Sequence, residues 1–322
     1  MHSGLPSRLF STAALERLRR VAGIDTDVVL TDLRAPALER AEIILSGWGC
    51  PPVDAQVLAG APALRAIVHA AGGVKGHVTA ACWERGILVS SAAAANAGPV
   101  AEYTLARILL ANKGADRMAR AYRERRGALD LHAEFPAVGN LGKTVGIVGA
   151  SRIGRRVVEL LRPFDLRVVV SDPYLDAAAA AALGVERLEL DALLAAADVV
   201  SLHAPSLPST RHMIDARRLA LLRDGATLIN TARGALVDHE ALVAELASGR
   251  IDAVIDVTEP EVLPLDSPLY DLPNVVLTPH IAGALGVELR RLGDSAVAEI
   301  ERYAAGEPFA HPVTAADLDR VA

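Results

Sequence analysis

The stretch Thr144-Val-Gly-Ile-Val-Gly-Ala-Ser-Arg-Ile-Gly154 decides the fold. An apolar run typical of a buried strand passes into a glycine turn, and a helical run then continues to Leu161, before Pro163. Strand, glycine turn and helix N-terminus in this order form a cradle for the pyrophosphate of a dinucleotide. The stretch therefore predicts a parallel α/β sheet with a cofactor-binding turn.

The cofactor turn departs from the usual fingerprint at one place. The three fingerprint positions are Gly149, Ser151 and Gly154, so the middle glycine is replaced by serine. Asp172 ends the next predicted strand, 18 residues after Gly154. An acid there accepts hydrogen bonds from ribose hydroxyls and repels a 2′-phosphate, which predicts NAD rather than NADP. A plain turn residue at the strand end would also explain Asp172.

Apolar segments alternate with helical patterns along the chain, as in parallel sheets covered by helices. We predict a helix over 78–85, a long helix over 99–123 with Pro99 at its first position, and a final helix over 286–305. The predicted strands cover 27–30, 42–47, 64–70, 87–91, 144–149, 167–171, 198–203, 226–230, 252–257 and 274–278.

This order predicts an α/β protein with two doubly wound parallel-sheet domains. A Rossmann cofactor domain covers 99–286, and a flavodoxin-like substrate domain combines 1–98 with 287–322. Because the chain crosses twice between the domains, we expect a hinged active-site cleft between them.

Composition excludes several other classes of protein. The 322 residues are 52% hydrophobic and 22% charged with a net charge of −6, which is typical of a globular protein and unlike a nucleic-acid binder. No apolar run is long enough to span a membrane, and residues 1–10 lack the apolar stretch of a signal peptide, so we expect a cytoplasmic protein. Two isolated cysteines, Cys50 and Cys82, predict neither disulfides nor a metal site.

Five further motifs resemble those of one enzyme family. They are Asn96-Ala-Gly-Pro-Val-Ala-Glu-Tyr-Thr104, Ser201-Leu-His-Ala-Pro205 with Thr210-Arg-His-Met213, Ile229-Asn-Thr-Ala-Arg-Gly-Ala-Leu-Val-Asp238, Asp256-Val-Thr-Glu-Pro-Glu261, and Thr278-Pro-His-Ile-Ala-Gly283. Together they resemble the D-isomer-specific 2-hydroxyacid dehydrogenases, which include phosphoglycerate, glyoxylate and hydroxypyruvate reductases. The resemblance covers the chain from about Leu64 to the final helix. It implies NAD-dependent hydride transfer at C2 of a small 2-hydroxy or 2-keto acid.

The resemblance also implies a set of catalytic residues. Arg233 would bind the substrate carboxylate and carbonyl, a role that suits a permanently charged planar fork. A cation is disfavoured just before a helix N-terminus, so the position of Arg233 itself hints at a function. His280 would be the acid/base, paired with Glu261. Glu261 fits the family's spacing from Asp256, whereas Glu259 is expected to be solvated.

Cofactor and substrate contacts follow from the same resemblance. In the first domain, backbone N–H groups of Gly72 and Gly73 would bind the substrate carboxylate, and Lys75 stands where the family usually has an acid. Asp256 would lie near the nicotinamide amide. The full set of expected cofactor contacts is Thr104, Gly149, Ser151, Arg152, Ile153, Gly154, Asp172, Ala204, Thr231 and Asp256.

A homodimer joined through the cofactor domain is expected, with residues 114–136 as the arm and His132 and Phe135 as candidate contacts. Two alternatives stay open. One is an NAD-binding regulator of the corepressor type, which could retain the Arg233, Glu261 and His280 set, although the chain has no basic region. The other is a dehydrogenase of another small hydride donor, such as formate or phosphite.

Overall fold

The computed structural model describes residues 1–26 and 28–319. The chain forms two compact units. The smaller unit consists of Met1–Ala97 and the chain from Ala284 onward, and the larger unit is Gly98–Gly283. No helix of the described residues has the length and apolar character needed to cross a membrane.

The strands of both units are short. In chain order they are β1 Ile43–Ser46, β2 Ala66–His69, β3 Leu88–Ser91, β4 Thr144–Val148, β5 Arg167–Ser171, β6 Glu186–Arg187, β7 Val199–Leu202, β8 Thr227–Asn230, β9 Asp252–Ile255, β10 Val275–Leu277 and β11 Pro312–Val313. The α-helices are α1 Pro6–Leu9, α2 Thr12–Val21, α3 Ala55–Gly60, α4 Ala80–Glu84, α5 Ala93–Lys113, α6 Ala115–Arg125, α7 Leu131–Glu134, α8 Arg152–Leu161, α9 Ala177–Leu183, α10 Leu190–Ala196, α11 Ala216–Leu219, α12 His239–Ala247 and α13 Leu289–Ala304.

The sheet of the larger unit has seven parallel strands in the order β10-β9-β8-β7-β4-β5-β6. Successive strand residues point to opposite faces, so Ile147 packs into one hydrophobic cluster and Val148 into the other. The order reverses between β4 and β7. The carboxyl ends of strands at such a reversal are where open α/β sheets bind ligands.

The sheet of the smaller unit runs β1-β2-β3-β11, with β1 to β3 parallel and β11 antiparallel to β3. Hydrophobic clusters cover both of its faces, with Ile67 on one side and Val68 on the other. The predicted α/β class with two parallel-stranded sheets is therefore confirmed.

The strand predicted over 27–30 is wrong for residues 28–30, while Asp27 lies outside the described residues. The three described residues form no ladder, and the side chain of Val28 is exposed. Three apolar residues beside acids and turns offer too little apolar surface to hold an edge strand. Two other short edge strands, β6 and β11, were not predicted, because two residues leave no periodic pattern.

The long helix predicted over 99–123 is two helices, and its start is wrong. Helix α5 begins at Ala93, so Pro99 lies inside it rather than at its first position. The alanines before Pro99 are strong helix formers and extend the helix backwards. Gly114 then adopts a left-handed conformation with φ of +67° and separates α5 from α6.

Candidate active site

The glycine turn after β4 is built for close backbone approach. Gly149 has a φ of +100°, and a Cβ atom there would lie 2.6 Å from the backbone nitrogen of Ala204. A Cβ at Gly154 would lie 2.1 Å from the carbonyl oxygen of Gly149. Both positions therefore require glycine, and the turn opens onto the N-terminus of α8. Backbone donors at a helix N-terminus fit the pyrophosphate of NAD.

Ser151 occupies the N-cap position of α8. Its hydroxyl oxygen accepts a hydrogen bond from the backbone N–H of Gly154 over 3.3 Å. Arg152 and Ile153 follow as the first helical residues, with Arg152 exposed. The serine hydroxyl thus caps the start of α8.

Asp172 follows β5 directly and its carboxylate is held by the backbone. One carboxylate oxygen accepts from the N–H of Ala150 over 2.7 Å and the other from the N–H of Tyr174 over 2.7 Å. Pro173 and Tyr174 come next, so no basic side chain follows directly in sequence. The carboxylate is thereby fixed beside the glycine turn, where it can receive ribose hydroxyls.

Arg233 lies in the loop that follows β8. The Asn230 side chain shapes this loop, since it donates to the carbonyl of Arg233 over 2.9 Å and accepts from the N–H of Ala232 over 3.1 Å. The hydroxyls of Thr231 and Thr104 are 3.0 Å apart and both residues are buried. Burial lowers the pKa of Arg233, and the negative charge of Glu261 opposes that shift.

Gly234 brings the Arg233 loop against the segment that carries Glu261. A Cβ at Gly234 would lie 2.1 Å from the carbonyl carbon of Thr258, so the two backbones touch directly. The Thr258 hydroxyl donates to the carbonyl oxygens of Pro260 and Glu261 over 2.8 Å and 3.0 Å, which folds that segment. A side chain at Gly234 would push the segment away from Arg233.

His280 and Glu261 are in direct contact. Nδ1 of His280 lies 2.5 Å from Oε1 of Glu261, and about half of each side chain is exposed. A carboxylate can only accept, so Nδ1 carries the hydrogen of this bond and Nε2 is left for another partner. His280 has a φ of +55°, a left-handed conformation that non-glycine residues rarely adopt.

Asp256 holds the loop that carries His280. Its carboxylate accepts from the Thr278 hydroxyl over 2.6 Å and from the N–H groups of Ile281 and Ala282 over 2.8 Å and 3.0 Å. The carbonyl of Asp256 accepts from the N–H of His280 over 2.8 Å. Sequence reasoning assigned Asp256 to the cofactor and missed this anchoring role, because its partners are backbone groups of a distant segment.

Glu259 is paired rather than simply solvated. Its carboxylate accepts from Arg211 over 2.8 Å, and this hydrogen bond lowers the pKa of Glu259. The two acids of this segment therefore have different partners. The prediction that Glu261 rather than Glu259 meets His280 agrees with this arrangement.

The remaining predicted residues lie as follows. In the smaller unit Gly72 and Gly73 lie in the loop that follows β2, and the Lys75 side chain beyond them is exposed. The side chain of Asn96, which sequence reasoning did not select, lies near Gly72, and its oxygen accepts from the N–H of Ala284 over 2.8 Å. His132 lies in α7, and Phe135 follows it. Cys50 and Cys82 are free thiols, and no metal-binding cluster of acids, histidines or cysteines occurs among the described residues.

Comparison with known proteins identifies similar chains. Residues 105–282 match a family model described as "D-isomer specific 2-hydroxyacid dehydrogenase, NAD binding domain". The chain is 36% identical over 308 residues to a D-3-phosphoglycerate dehydrogenase of Mycobacterium tuberculosis, with 94% of this chain and 56% of that protein covered. It is 34% identical over 317 residues to a (S)-sulfolactate dehydrogenase of Chromohalobacter salexigens, with 94% of this chain and 98% of that protein covered.

A solved structure adds a bound cofactor to these comparisons. D-lactate dehydrogenase from Aquifex aeolicus, complexed with NAD and lactic acid, superposes with a TM-score of 0.71 at 28% identity, and 92% of each chain is covered. The chain spans little more than half of the length of the mycobacterial relative and nearly all of the sulfolactate dehydrogenase.

Proposed function

Because the chain belongs to the D-isomer-specific 2-hydroxyacid dehydrogenase family, we propose that it is an NAD-dependent oxidoreductase acting on small 2-hydroxy or 2-keto acids. The observation that carries the proposal is the 2.5 Å contact between Nδ1 of His280 and Oε1 of Glu261. The same unit contains Arg233, whose pKa is lowered by burial against the opposing effect of the charge of Glu261. A fixed cation and an oriented acid/base are what the reduction of a polar carbonyl requires.

Arg233 binds the substrate in this proposal. The guanidinium holds the substrate carboxylate and polarises the C2 carbonyl, because charge develops on that oxygen as the reaction proceeds. Burial of Arg233 strengthens these interactions, since fewer water molecules screen them. Gly72 and Gly73 of the smaller unit add backbone N–H donors to the same carboxylate.

His280 handles the proton. When bound, NADH would supply the hydride for C2 of the keto acid. Nε2 of His280 would donate the proton that the carbonyl oxygen takes up, which gives the 2-hydroxy acid. Glu261 keeps Nδ1 protonated and so fixes which ring nitrogen meets the substrate. In the oxidation direction the same nitrogen takes the hydroxyl proton.

The cofactor is placed by the larger unit in this proposal. Gly149, Ser151, Arg152, Ile153 and Gly154 cradle the pyrophosphate, and Asp172 accepts the ribose hydroxyls. The NAD domain then corresponds to 99–286 and the substrate domain to 1–98 with 287–322. Thr104, Ala204, Thr231 and Asp256 line the rest of the cofactor.

We extend the proposal to assembly and location. The protein is a cytoplasmic homodimer joined through the larger unit, with residues 114–136 as the arm. Exposed Tyr122, Leu131 and Leu141 in and beside this arm, the last 83% exposed, offer apolar surface for a partner copy. Sedimentation analysis tests the dimer, and a purely monomeric species would contradict it.

The test of the function is a screen of NADH oxidation followed at 340 nm. The substrates are glyoxylate, hydroxypyruvate, pyruvate, longer 2-keto acids, and the 2-keto acids that correspond to 3-phosphoglycerate and sulfolactate, which the relatives' names suggest. In parallel assays, the reduction of NAD is measured with formate and with phosphite as hydride donors. We expect turnover with at least one 2-keto acid. Turnover with formate or phosphite alone, or NADH binding with no turnover at all, would overturn the proposal.

A further inference from the structure

Three polar side chains form a buried hydrogen-bonded cluster inside the smaller unit. Ser46 ends β1, His69 ends β2, and His77 lies eight residues further along the chain. Oγ of Ser46 is 2.9 Å from Nδ1 of His69 and 3.3 Å from Nε2 of His77. The two imidazole rings have centroids 4.2 Å apart, and all three residues are at most 4% exposed.

Both histidines are neutral at physiological pH. Burial lowers the pKa of His69 to about 3 and that of His77 to about 4, and the nearby amino group of Met1 acts in the same direction. A neutral ring has one donor and one acceptor nitrogen, and a hydroxyl can donate once while accepting. The Ser46 hydroxyl can therefore donate a hydrogen bond to one ring and accept a hydrogen bond from the other.

The two histidines stand at the two ends of the proposed substrate loop. Residues 70–76 connect them and contain Gly72, Gly73 and Gly76. Backbone hydrogen bonds also hold both ends of this loop. The N–H of Ala70 donates to the carbonyl of Ser46 over 2.8 Å, and the N–H of Val53 donates to the carbonyl of His77 over 2.8 Å. Three glycines in seven residues give the loop little intrinsic conformational preference, so its shape depends on the contacts that hold it. Buried Ala71 and Val74 are contacts within the loop, and the histidines add contacts at its two ends.

We propose that Ser46, His69 and His77 are positioning residues that hold the loop with Gly72 and Gly73 in the conformation that binds the substrate carboxylate. The inference rests on the proposed function and goes beyond it, because none of the three side chains needs to touch the substrate. The loop binds the carboxylate equally in the ground state and in the transition state. Loosening it raises KM and leaves kcat nearly unchanged.

The variants are Ser46→Ala, His77→Ala and His77→Gln. Removing one partner of a buried hydrogen bond weakens binding by roughly 10-fold when the freed group disturbs the loop. We expect Ser46→Ala and His77→Ala to raise KM for the best 2-keto acid by about that factor, with kcat within about 2-fold. His77→Gln can restore a hydrogen bond to Ser46 and should lie closer to the parent.

Ser201→Ala is the matched control. It removes a buried serine–histidine hydrogen bond of the same length, 2.9 Å to His203, from the larger unit. We expect Ser201→Ala to lower the midpoint of thermal unfolding by about as much as Ser46→Ala does, without raising KM for the keto acid. Equal KM increases in Ser201→Ala and Ser46→Ala, or a lower midpoint with unchanged KM in both smaller-unit variants, would overturn the positioning role.

A binding measurement separates this inference from the proposed reaction. Oxamate, a 2-keto acid analogue with the same carboxylate, is titrated into the NADH complex and followed by NADH fluorescence. If the parent binds oxamate but turns over no keto acid, the reaction is wrong while the Kd values of the variants still test the positioning role. If the parent turns over a 2-keto acid but Ser46→Ala and His77→Ala change neither its KM nor the Kd for oxamate, the positioning role is wrong while the reaction stands.

Discussion

At the scale of single residues, the conformation of His280 is held by Asp256. The left-handed φ of His280 is unfavourable, and it persists because three donors from the surrounding loop converge on one carboxylate. Arg233, Glu261 and His280 were selected by the resemblance of their motifs to those of the family, and their catalytic roles stay predictions. The anchoring by Asp256 could not be predicted, because backbone N–H groups carry no sequence signal.

Ser151 gives a prediction about cofactor affinity. Its hydroxyl oxygen accepts a hydrogen bond from the backbone N–H of Gly154. Ser151→Gly removes the Cβ and the hydroxyl and allows the pyrophosphate to approach the backbone more closely, so we expect the Kd for NADH to be equal or lower. The lost N-cap destabilises the protein by only a few tenths of a kcal/mol, about the difference between serine and glycine caps. Fluorescence titration measures the Kd, and a clear loss of affinity would mean that the hydroxyl itself binds phosphate.

Asp172 predicts the choice of cofactor. Its carboxylate is fixed by two backbone N–H groups, so it cannot easily turn away from an added 2′-phosphate. We expect kcat/KM to favour NADH over NADPH by about 100-fold or more, because each 1.4 kcal/mol of repulsion is a factor of 10. Steady-state kinetics with both cofactors measures the ratio. Equal values, or a preference for NADPH, would remove Asp172 from the cofactor site.

At the scale of elements, the sequence predicts the strands of the larger sheet well and the helix boundaries poorly. Strands β4, β7 and β8 are buried on both faces and show as apolar runs. The apolar runs of β5, β9 and β10 also fall where predicted. The start predicted at Pro99 is wrong because proline is typical of the first helical position, whereas here it lies inside α5. The division at Gly114 depends on its positive φ, which the sequence alone does not show.

Gly114 provides the test at this scale. A Cβ there would lie 2.8 Å from Cγ1 of Val138, in addition to the strain of a φ of +67°. Gly184 has a similar φ of +71° but no atom within 4 Å of a Cβ. We expect Gly184→Ala to cost about 1 kcal/mol and Gly114→Ala about 1 kcal/mol more. Thermal unfolding of both variants measures the difference, and equal midpoints would contradict the packing of Val138 on Gly114.

At the scale of the whole molecule, stability depends on keeping buried histidines neutral. Burial lowers the pKa of His69, His77 and His203 from 6.5 to about 3, about 4 and about 3, and it also lowers that of His239. The unfolded chain therefore takes up protons below pH 6.5 that the folded chain does not. Their stabilising contribution is complete above pH 6.5 and is lost as the pH falls toward 4.

This linkage predicts a steep acid sensitivity. His69, His77 and His203 each remove up to about 1.4 kcal/mol per pH unit below 6. We expect the midpoint of thermal unfolding to fall by about 10 °C or more between pH 7.5 and pH 5, because 1 kcal/mol shifts it by about 2 to 4 °C. His77→Gln should flatten this fall. Calorimetry across that range measures it, and a midpoint that does not change with pH would show that the histidines are not buried neutral.

The central claim is that His280 exchanges the substrate proton, oriented by Glu261. The most direct test is kcat for His280→Ala in keto-acid reduction, with the Kd for NADH measured on the same protein. Glu261→Gln and Glu259→Gln serve as a matched pair, because only Glu261 contacts His280 while Glu259 contacts Arg211. We predict that kcat falls by about 100-fold or more for His280→Ala, falls less for Glu261→Gln, and stays near the parental value for Glu259→Gln, with NADH affinity preserved throughout. Near-parental turnover by His280→Ala would contradict the account.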